Sequence, residues 1–544
     1  MSERVRIAVQ PARGSVGEGV RVIVDPGVIA GYLQDASLHT GRAEALFRPR
    51  CEAEVAAIVA RAQREGVPVT VVAAQTSTTA SSVPEGGWIL STEKLAGMGA
   101  VDSAARRALC EPGLNLEAFQ AAVEEHGLFY PPDPTSRADC TVGGSVACNA
   151  SGARSHRFGA TRHWVRALRV VLPCGEVVAL ERGRHRVDHA VGFEVEHGDG
   201  CALERGGVQS LPIPGFAFAD GVKNATGLFG GAEIDPIDLF IGGEGTLGVV
   251  TEVEVDLIPA PGGSLDLFVC VPDEDTGLAL VEEARACGRR GEVVRPDSLE
   301  WFDRASLALI DEDGAALPVP ANAHAAIYIE QLCETAEAAR SDELLDAWFA
   351  LLRRVGGELD DEANVVLATT HAEREVLHRA RHAVPVGVNE RAARNAMPKL
   401  GTDLAVDDAH LRDVMALYRL AREVPLQLLG DGVRSDLVAD SVASVTFGHV
   451  GDNHLHMNFL PKNASERALA EAVRDELTTR VIAWGGSPSA EHGIGKLKCA
   501  ALRQRVGEGA YGEMLATRLA LDPAQILGRG NLFAFAAGAA PKRD

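Results

Sequence analysis

The chain has 544 residues, too many for one ordinary domain, so two to four units with substantial cores are expected. Its hydrophobic content of 46% suits a globular enzyme, and its net charge of -23, uninterrupted by any Lys/Arg-rich stretch, argues against a nucleic-acid partner. Ten cysteines without a single Cys-x-x-Cys spacing argue against an iron-sulfur cluster or a zinc ribbon on this chain.

The opening MSERVRIAVQPARGSVGEG has no continuous apolar stretch after its charges, and no apolar run further on reaches membrane-spanning length. The expectation is a cytoplasmic protein, with peripheral contact at the inner face of a membrane left open. Residues 1–44 are weakly patterned and read as an N-terminal extension. CEAEVAAIVARAQREG is an amphipathic helix stopped at Gly66, followed by the strand VPVTVVA. The small polar run 73–82 separates it from a second strand, WILST. LNLEAFQAAVEEHG, 114–127, is a second helix with a glycine stop.

Residues 131–152, PPDPTSRADCTVGGSVACNASG, read as loop, and free amides beside glycines there can cradle a pyrophosphate. WVRALRVVL and GEVVALE pair about Pro173-Cys174-Gly175. The segment 181–222 has no clear period and reads either as a lid or as a solvated excursion. DLFIGGEGTLGVVTEVEVDLIP, 238–259, predicts a strand, a glycine-rich turn and an alternating strand. Helices near VEEARACGRRG and over 334–357 imply an α+β unit in the middle third. The stretch 463–520 reads as helical around SAEHGIG.

Chemistry concentrates in SVTFGHVGDNHLHMN, 444–458. Two strands, 445–450 and 454–459, turning at Asp452-Asn453, would set His449 and His456 opposite one another, roughly 5 Å apart at Cβ. His454 would share their face, while Leu455, Met457 and Phe459 point to a core. Glu491 of SAEHGIG can complete a His/His/Glu metal set with open positions for water or substrate. Any one of these histidines alone reads better as a satisfied polar residue at the edge of a core; together they favour a site.

Four motifs in fixed order, TVGGSVACNASG, DLFIGGEGTLGVVTEV, GHVGDNHLHMN and SAEHGIG, resemble the FAD-linked D-2-hydroxyacid dehydrogenases, which have a flavin domain of the vanillyl-alcohol-oxidase type. The resemblance runs from about residue 45 to about 533. It implies an α+β fold: a two-subdomain FAD-binding domain over 45–260 with 181–222 inserted, a cap with an antiparallel sheet over 261–440, and a segment 441–544 that completes the active site. It implies cofactor contacts from Gln75, Thr76, Ser77 and Thr79, then from Pro134, Thr141, Gly143, Gly144, Ser145, Asn149, Gly152 and Gly159, then from Glu244, Gly245, Thr246, Gly248 and Val249. His449, His456 and Glu491 would be ligands to a divalent metal, zinc first, with manganese or iron as alternatives. His492 would be the proton acceptor, and Arg381 and Lys399 would hold the substrate carboxylate; the alternative for either is a surface cation, and for Lys399 the two readings weigh equally.

The activity implied is metal-assisted oxidation of a D-2-hydroxy acid, lactate-like, with hydride passing to non-covalent FAD and electrons leaving to a separate quinone, cytochrome or electron-transfer flavoprotein. Other hydroxy donors, flavin-free metal chemistry, a scaffold role and a homodimer stay open. The sequence departs from the family pattern in four places. Ala73, Ala74 and Ala80-Ser81 replace glycines, so the loop must take ordinary dihedrals or accept strain. His454 stands where Asn is usual, Lys399 lies one residue further from Asp403 than is typical, and Gly528-Arg529-Gly530-Asn531 replaces Asn-Pro-Gly.

Overall fold

In the computed structural model the described residues are 4–534, except 18, 199–206, 315–316, 358, 362 and 431–438. Part of the 181–222 segment and the last ten residues of 441–544 therefore lie outside the description.

The expected α+β architecture is present as three principal sheets. The first is four-stranded, in the order Val22–Ile23, Ala45–Phe47, Trp88–Ser91, Val69–Val72, with its last three strands parallel. The helix Glu52–Glu65 packs Val55, Ile58 and Val59 into this subdomain's core and ends on Gly66, whose φ of 65° supplies the left-handed cap. The second sheet is antiparallel, in the order Val177–Glu181, Val165–Val171, Val249–Asp256, Arg107–Cys110, Met98–Asp102. Strict alternation of buried and half-buried residues along Val249–Asp256 matches its sequence period.

Two expected elements differ. Val142–Cys148, read as loop because of its glycines, is a short helix whose N-terminal Thr141 hydroxyl accepts from Gly144 N at 3.1 Å. Ile237–Phe240, read as a strand, is a helical turn behind Pro236. Within 181–222, the described strands 193–197 and 207–211 are a packed hairpin, neither free lid nor solvated excursion. Phe193–His197 and Gly207–Leu211 pair antiparallel, and the N-terminal strand Arg6–Ala8 adds to Phe193–His197 in parallel. Ile7, Phe193, Val195 and Leu211 join the same core as Leu502 and Leu521 of the long C-terminal helix Cys499–Leu521. Paired apolar residues far apart in sequence make that sheet, so local periodicity does not reveal it.

The cap sheet runs Val365–Ala368, Gly263–Val271, Ala325–Cys333, Ser298–Asp303, Ser444–Gly448, His454–Phe459, Leu400–Gly401. The histidine hairpin is thus the continuation of the cap sheet, with Leu455, Met457 and Phe459 fully buried in its core as the strand period predicts.

Candidate active site

The hairpin register pairs Phe447 with His456, not His449 with His456. His449 lies beyond the last strand residue, level with His454, whose backbone N–H donates to His449 O at 3.2 Å. A three-residue helical turn, Val450–Asp452, takes up the reversal. The three imidazoles still converge, with ring centroids 4.4 to 5.8 Å apart.

Glu491 meets them from the C-terminal loop. Its Oε1 is 3.1 Å from His456 Nε2 and 3.5 Å from His449 Nε2, and its Oε2 is 3.8 Å from His454 Nδ1. One ligand atom from each of His449, His454, His456 and Glu491 lies within 4.8 Å of the other three. Both ring nitrogens of His449 and of His454 are buried without a well-formed hydrogen bond, although His449 Nδ1 approaches Glu300 Oε1 to 2.8 Å. Buried polar atoms left without partners are costly, and a cation would satisfy them. Burial lowers the proton affinity of His454, with Lys223 and His456 adding to the effect, so its ring is neutral and suited to a metal. Burial works to raise the Glu491 pKa, but Lys223 foremost, and then His449, outweigh it and hold the carboxylate well below its usual range. Imidazole nitrogens around a carboxylate are a donor set that fits a divalent cation of the zinc type.

Asp403, 2% exposed, organises the loop that carries Glu491. It accepts from Glu491 N at 3.2 Å, His492 N at 3.1 Å and Lys498 Nζ at 2.7 Å, and it faces His454 Nε2 at 3.1 Å. His492 stacks on His456, rings 5.2 Å apart and 14° from parallel. Its Nδ1 faces Asp403 Oδ2 at 3.4 Å and its Nε2 faces Glu491 Oε1 at 3.9 Å. Surrounding protein lowers its pKa by desolvation, Asp403 offsetting part of this, while a third of the side chain stays open to solvent.

Arg381 lines the cleft beside His449 and His456, together with Phe302, Pro385 and Phe447. Its guanidinium is already engaged, since Nε and Nη2 both donate to Glu300, leaving Nη1 without a hydrogen bond. Lys399 is not brought to the group: it is exposed, makes no ion pair among the described residues and lines neither cavity. The sequence reading missed Lys223, 7% exposed in its side chain, which donates to Glu491 Oε2 at 2.9 Å. It also missed Glu300. No local signal marks either: Lys223 simply follows the unpatterned 181–222 stretch, and Glu300 sits inside a buried strand.

The cofactor segments also converge. Loop 73–82 does accept backbone strain, with Gln75 and Ala80 left-handed at φ 58° and 60°. Ser77 Oγ ties it together, receiving Thr79 N, Ser81 N and Ser81 Oγ, while Thr76 stays half-buried with no hydrogen bond. A Cβ on Gly144 would meet Thr141 Oγ1 at 3.2 Å and Ala73 Cβ at 3.9 Å, and one on Gly245 only Val71 at 3.9 Å. Gly245 has room beside it that a dinucleotide can use, and its φ of 69° favours glycine. Pro134 borders a cavity of about 170 Å³ next to the Arg381 cleft.

The other implied residues serve the protein itself. A Cβ on Gly152 would strike Asp133 O at 1.8 Å, on Gly143 Pro112 Cβ at 2.3 Å, on Gly159 the His163 ring at 2.4 Å, and on Gly248 Val170 at 2.5 Å. Ser145 and Thr246 hydroxyls donate to Val142 O and Gly243 O, and Asn149 accepts from Arg162 N. Val249 is core. Glu244 accepts from Ile494 N at 2.6 Å and Gly495 N at 2.7 Å, so its carboxylate clasps the loop that bears His492.

Comparison with known proteins bears on this geometry. Residues 43–181 match a FAD binding domain family and residues 271–532 match the C-terminal domain of FAD linked oxidases. The chain is 28% identical to glycolate oxidase subunit GlcD of Bacillus subtilis, over 90% of this chain and 89% of that protein. It is 27% identical to a D-2-hydroxyglutarate dehydrogenase of Xanthomonas citri pv. viticola, over 94% of each. Identity to a D-lactate dehydrogenase of Archaeoglobus fulgidus is 26%, over 90% of each. Among solved structures, an alkyldihydroxyacetonephosphate synthase shares the fold, with a TM-score of 0.63 and 13% identity over 93% of this chain and 81% of that one. With both halves of the chain matched in order, the protein belongs to the FAD-linked oxidase family and is a FAD-dependent oxidoreductase.

Proposed function

We propose that the protein oxidises a small D-2-hydroxy acid to the 2-oxo acid, with a divalent cation held by His449, His456 and Glu491 and with His454 beside them. The observation that carries this reading is the convergence of four ligand atoms with orphaned imidazole nitrogens at the mouth of an arginine-lined cleft. Bound FAD supplies two-electron acceptance. A bound cation supplies Lewis acidity toward a hydroxyl and its neighbouring carboxylate.

The chain's own residues do the rest. Asp403 faces Nδ1 of His492 and favours the tautomer protonated there, so Nε2 presents its lone pair toward the cluster and takes the hydroxyl proton. Arg381 offers Nη1 to the substrate carboxylate, while Glu300 fixes the plane of the guanidinium. Lys399 is left in reserve as a second cation only if the substrate reaches beyond the cleft. Phe302, Pro385 and Phe447 give C3 an apolar wall.

The adjacent cavity holds Arg137 and Arg154, but Arg154 pairs with Glu330 and Arg137 with Glu117. Arg381 also borders this cavity, and with its Nη1 given to the first carboxylate no unengaged guanidinium is left there for a second, which favours a lactate-like acid over a dicarboxylate. Electrons leave to a separate acceptor in this reading, consistent with cysteine spacings that do not suit a cluster.

The test is anaerobic titration of the flavoprotein with D- and L-2-hydroxy acids while the flavin band is followed. Bleaching by a short D-acid supports the assignment. Bleaching by no hydroxy acid would overturn the donor class, and preference for a dicarboxylate would overturn the pocket argument.

A further inference from the structure

Away from the flavin and the histidine hairpin, a second constellation of metal-binding side chains is buried in the FAD-side half of the molecule. Cys174 and Glu176 sit in the turn between strands Val165–Val171 and Val177–Glu181, and His197 ends the strand Phe193–His197. Glu176 Oε2 is 2.5 Å from His197 Nδ1 and 3.6 Å from Cys174 Sγ, and the sulfur is 4.0 Å from the same nitrogen. Cys174 is 3% and His197 7% exposed. The three share no residue with the cluster around Glu491.

The far side of the imidazole is fixed. Gln209, in the paired strand, donates its amide N–H to Ala520 O of the long C-terminal helix, which turns Gln209 Oε1 toward His197 Nε2 at 2.7 Å. An oxygen there requires a proton on Nε2. Nδ1 then faces the Glu176 carboxyl either as a second N–H, making a buried imidazolium, or as a lone pair that accepts the carboxyl proton or a cation set between the two. The other carboxylate oxygen is held by Gly198 N at 2.8 Å, so Oε2 alone addresses the histidine and the thiol. A ring N–H held by an amide oxygen while the opposite nitrogen turns to a carboxylate and a sulfur is the arrangement that orients a metal-bound histidine.

We propose that Cys174, Glu176 and His197 form a structural site for a divalent, thiolate-tolerant cation of the zinc type. Tetrahedral zinc with bonds of about 2.0–2.3 Å sets its donors roughly 3.3–3.8 Å apart. The two distances to sulfur already approach that, and the Nδ1–Oε2 pair opens to it by rotation of the Glu176 side chain. Water completes the shell. The thiol proton is released to solvent on binding. The site clasps the hairpin of Phe193–His197 and Gly207–Leu211, which rests on the C-terminal helix, to the edge hairpin of the antiparallel sheet, so it acts on stability rather than on the reaction.

Zinc-edge X-ray absorption on the intact flavoprotein, equilibrated with excess zinc and then desalted, tests this without any substitution. The cluster around Glu491 offers only nitrogen and oxygen donors, so a Zn–S scattering shell near ~2.3 Å reports on Cys174. The expected result is a sulfur shell that persists in H449A/H456A and disappears in C174S, with one zinc fewer per chain in C174S. A zinc shell of nitrogen and oxygen only in the wild type overturns the proposal and leaves an imidazolium–carboxylate pair. A sulfur shell that survives C174S overturns it too. Neither outcome depends on whether the Glu491 cluster holds metal, so this site and the proposed reaction stand or fall separately.

Discussion

His492 is one imidazole whose two nitrogens face different carboxylates. Asp403 stands beside Nδ1, while Nε2 looks toward Glu491 and its cluster, the asymmetry on which the proposed role of base rests. His492→Ala is expected to slow flavin reduction by substrate by about 10²- to 10⁴-fold, the usual worth of a positioned base. Bound flavin, followed by its visible spectrum, should be unchanged; a rate within threefold of wild type would remove the assignment. His454 poses a different question, because its neutral buried ring lies within reach of the same ion. His454→Asn should retain the cation but weaken its binding by about tenfold or more, read by competition with a chelator. Stripping the cation from the wild type should abolish reduction by the acid, leave FAD in place, and be reversed by adding metal back.

At the scale of elements, the loop 489–495 is held between domains. Glu244 in the FAD-side glycine turn accepts two of its amides, Asp403 in the cap accepts two more, and Lys496 N donates to Thr79 O in the strained loop 73–82. Burial raises the Glu244 pKa to about 7, with the two amides of Ile494 and Gly495 working against it. Glu244→Ala leaves two buried N–H groups without an acceptor, which costs about 1–3 kcal/mol each. A lowered melting temperature should therefore accompany reduced turnover with FAD still bound. Full turnover in a destabilised Glu244→Ala protein would show that the clasp does not position His492.

Across the whole molecule, the FAD side and the cap are pinned by buried ion pairs. Arg154 donates twice to Glu330 and Arg157 donates to Asp297, which also accepts Leu332 N. Burial raises the Asp297 pKa from 3.8 to about 6, Arg157 pulling against it. The folded value lies above the unfolded one, so protonation at Asp297 stabilises the fold fully at pH below 4, and this contribution is lost as pH climbs through 6. The loss is on the order of 2–3 kcal/mol. Asp297→Asn should remove it: the stability difference between wild type and mutant should shift against the wild type between pH 4 and 6, measured by chemical denaturation.

By itself the sequence determined the helices Glu52–Glu65 and Glu274–Arg290, the hairpin about Pro173-Cys174-Gly175 and the inward face of Leu455, Met457 and Phe459, because period and turn chemistry are local properties. Motif order likewise carried the flavin family, later matched over both halves of the chain. Only the tertiary structure decided the rest. It moved His449 out of register with His456, matched Arg381 with Glu300, left Lys399 outside, brought Lys223 to Glu491, and turned Glu244 from the flavin segment onto the loop that carries His492. The Arg381–Glu300, Lys223–Glu491 and Glu244–Ile494 contacts join segments 81 to 268 residues apart, set by how buried charges and amides find partners when sheets and loops pack, and no local window of sequence contains both ends; the His449 register is local but turns on how the 450–452 reversal is taken up.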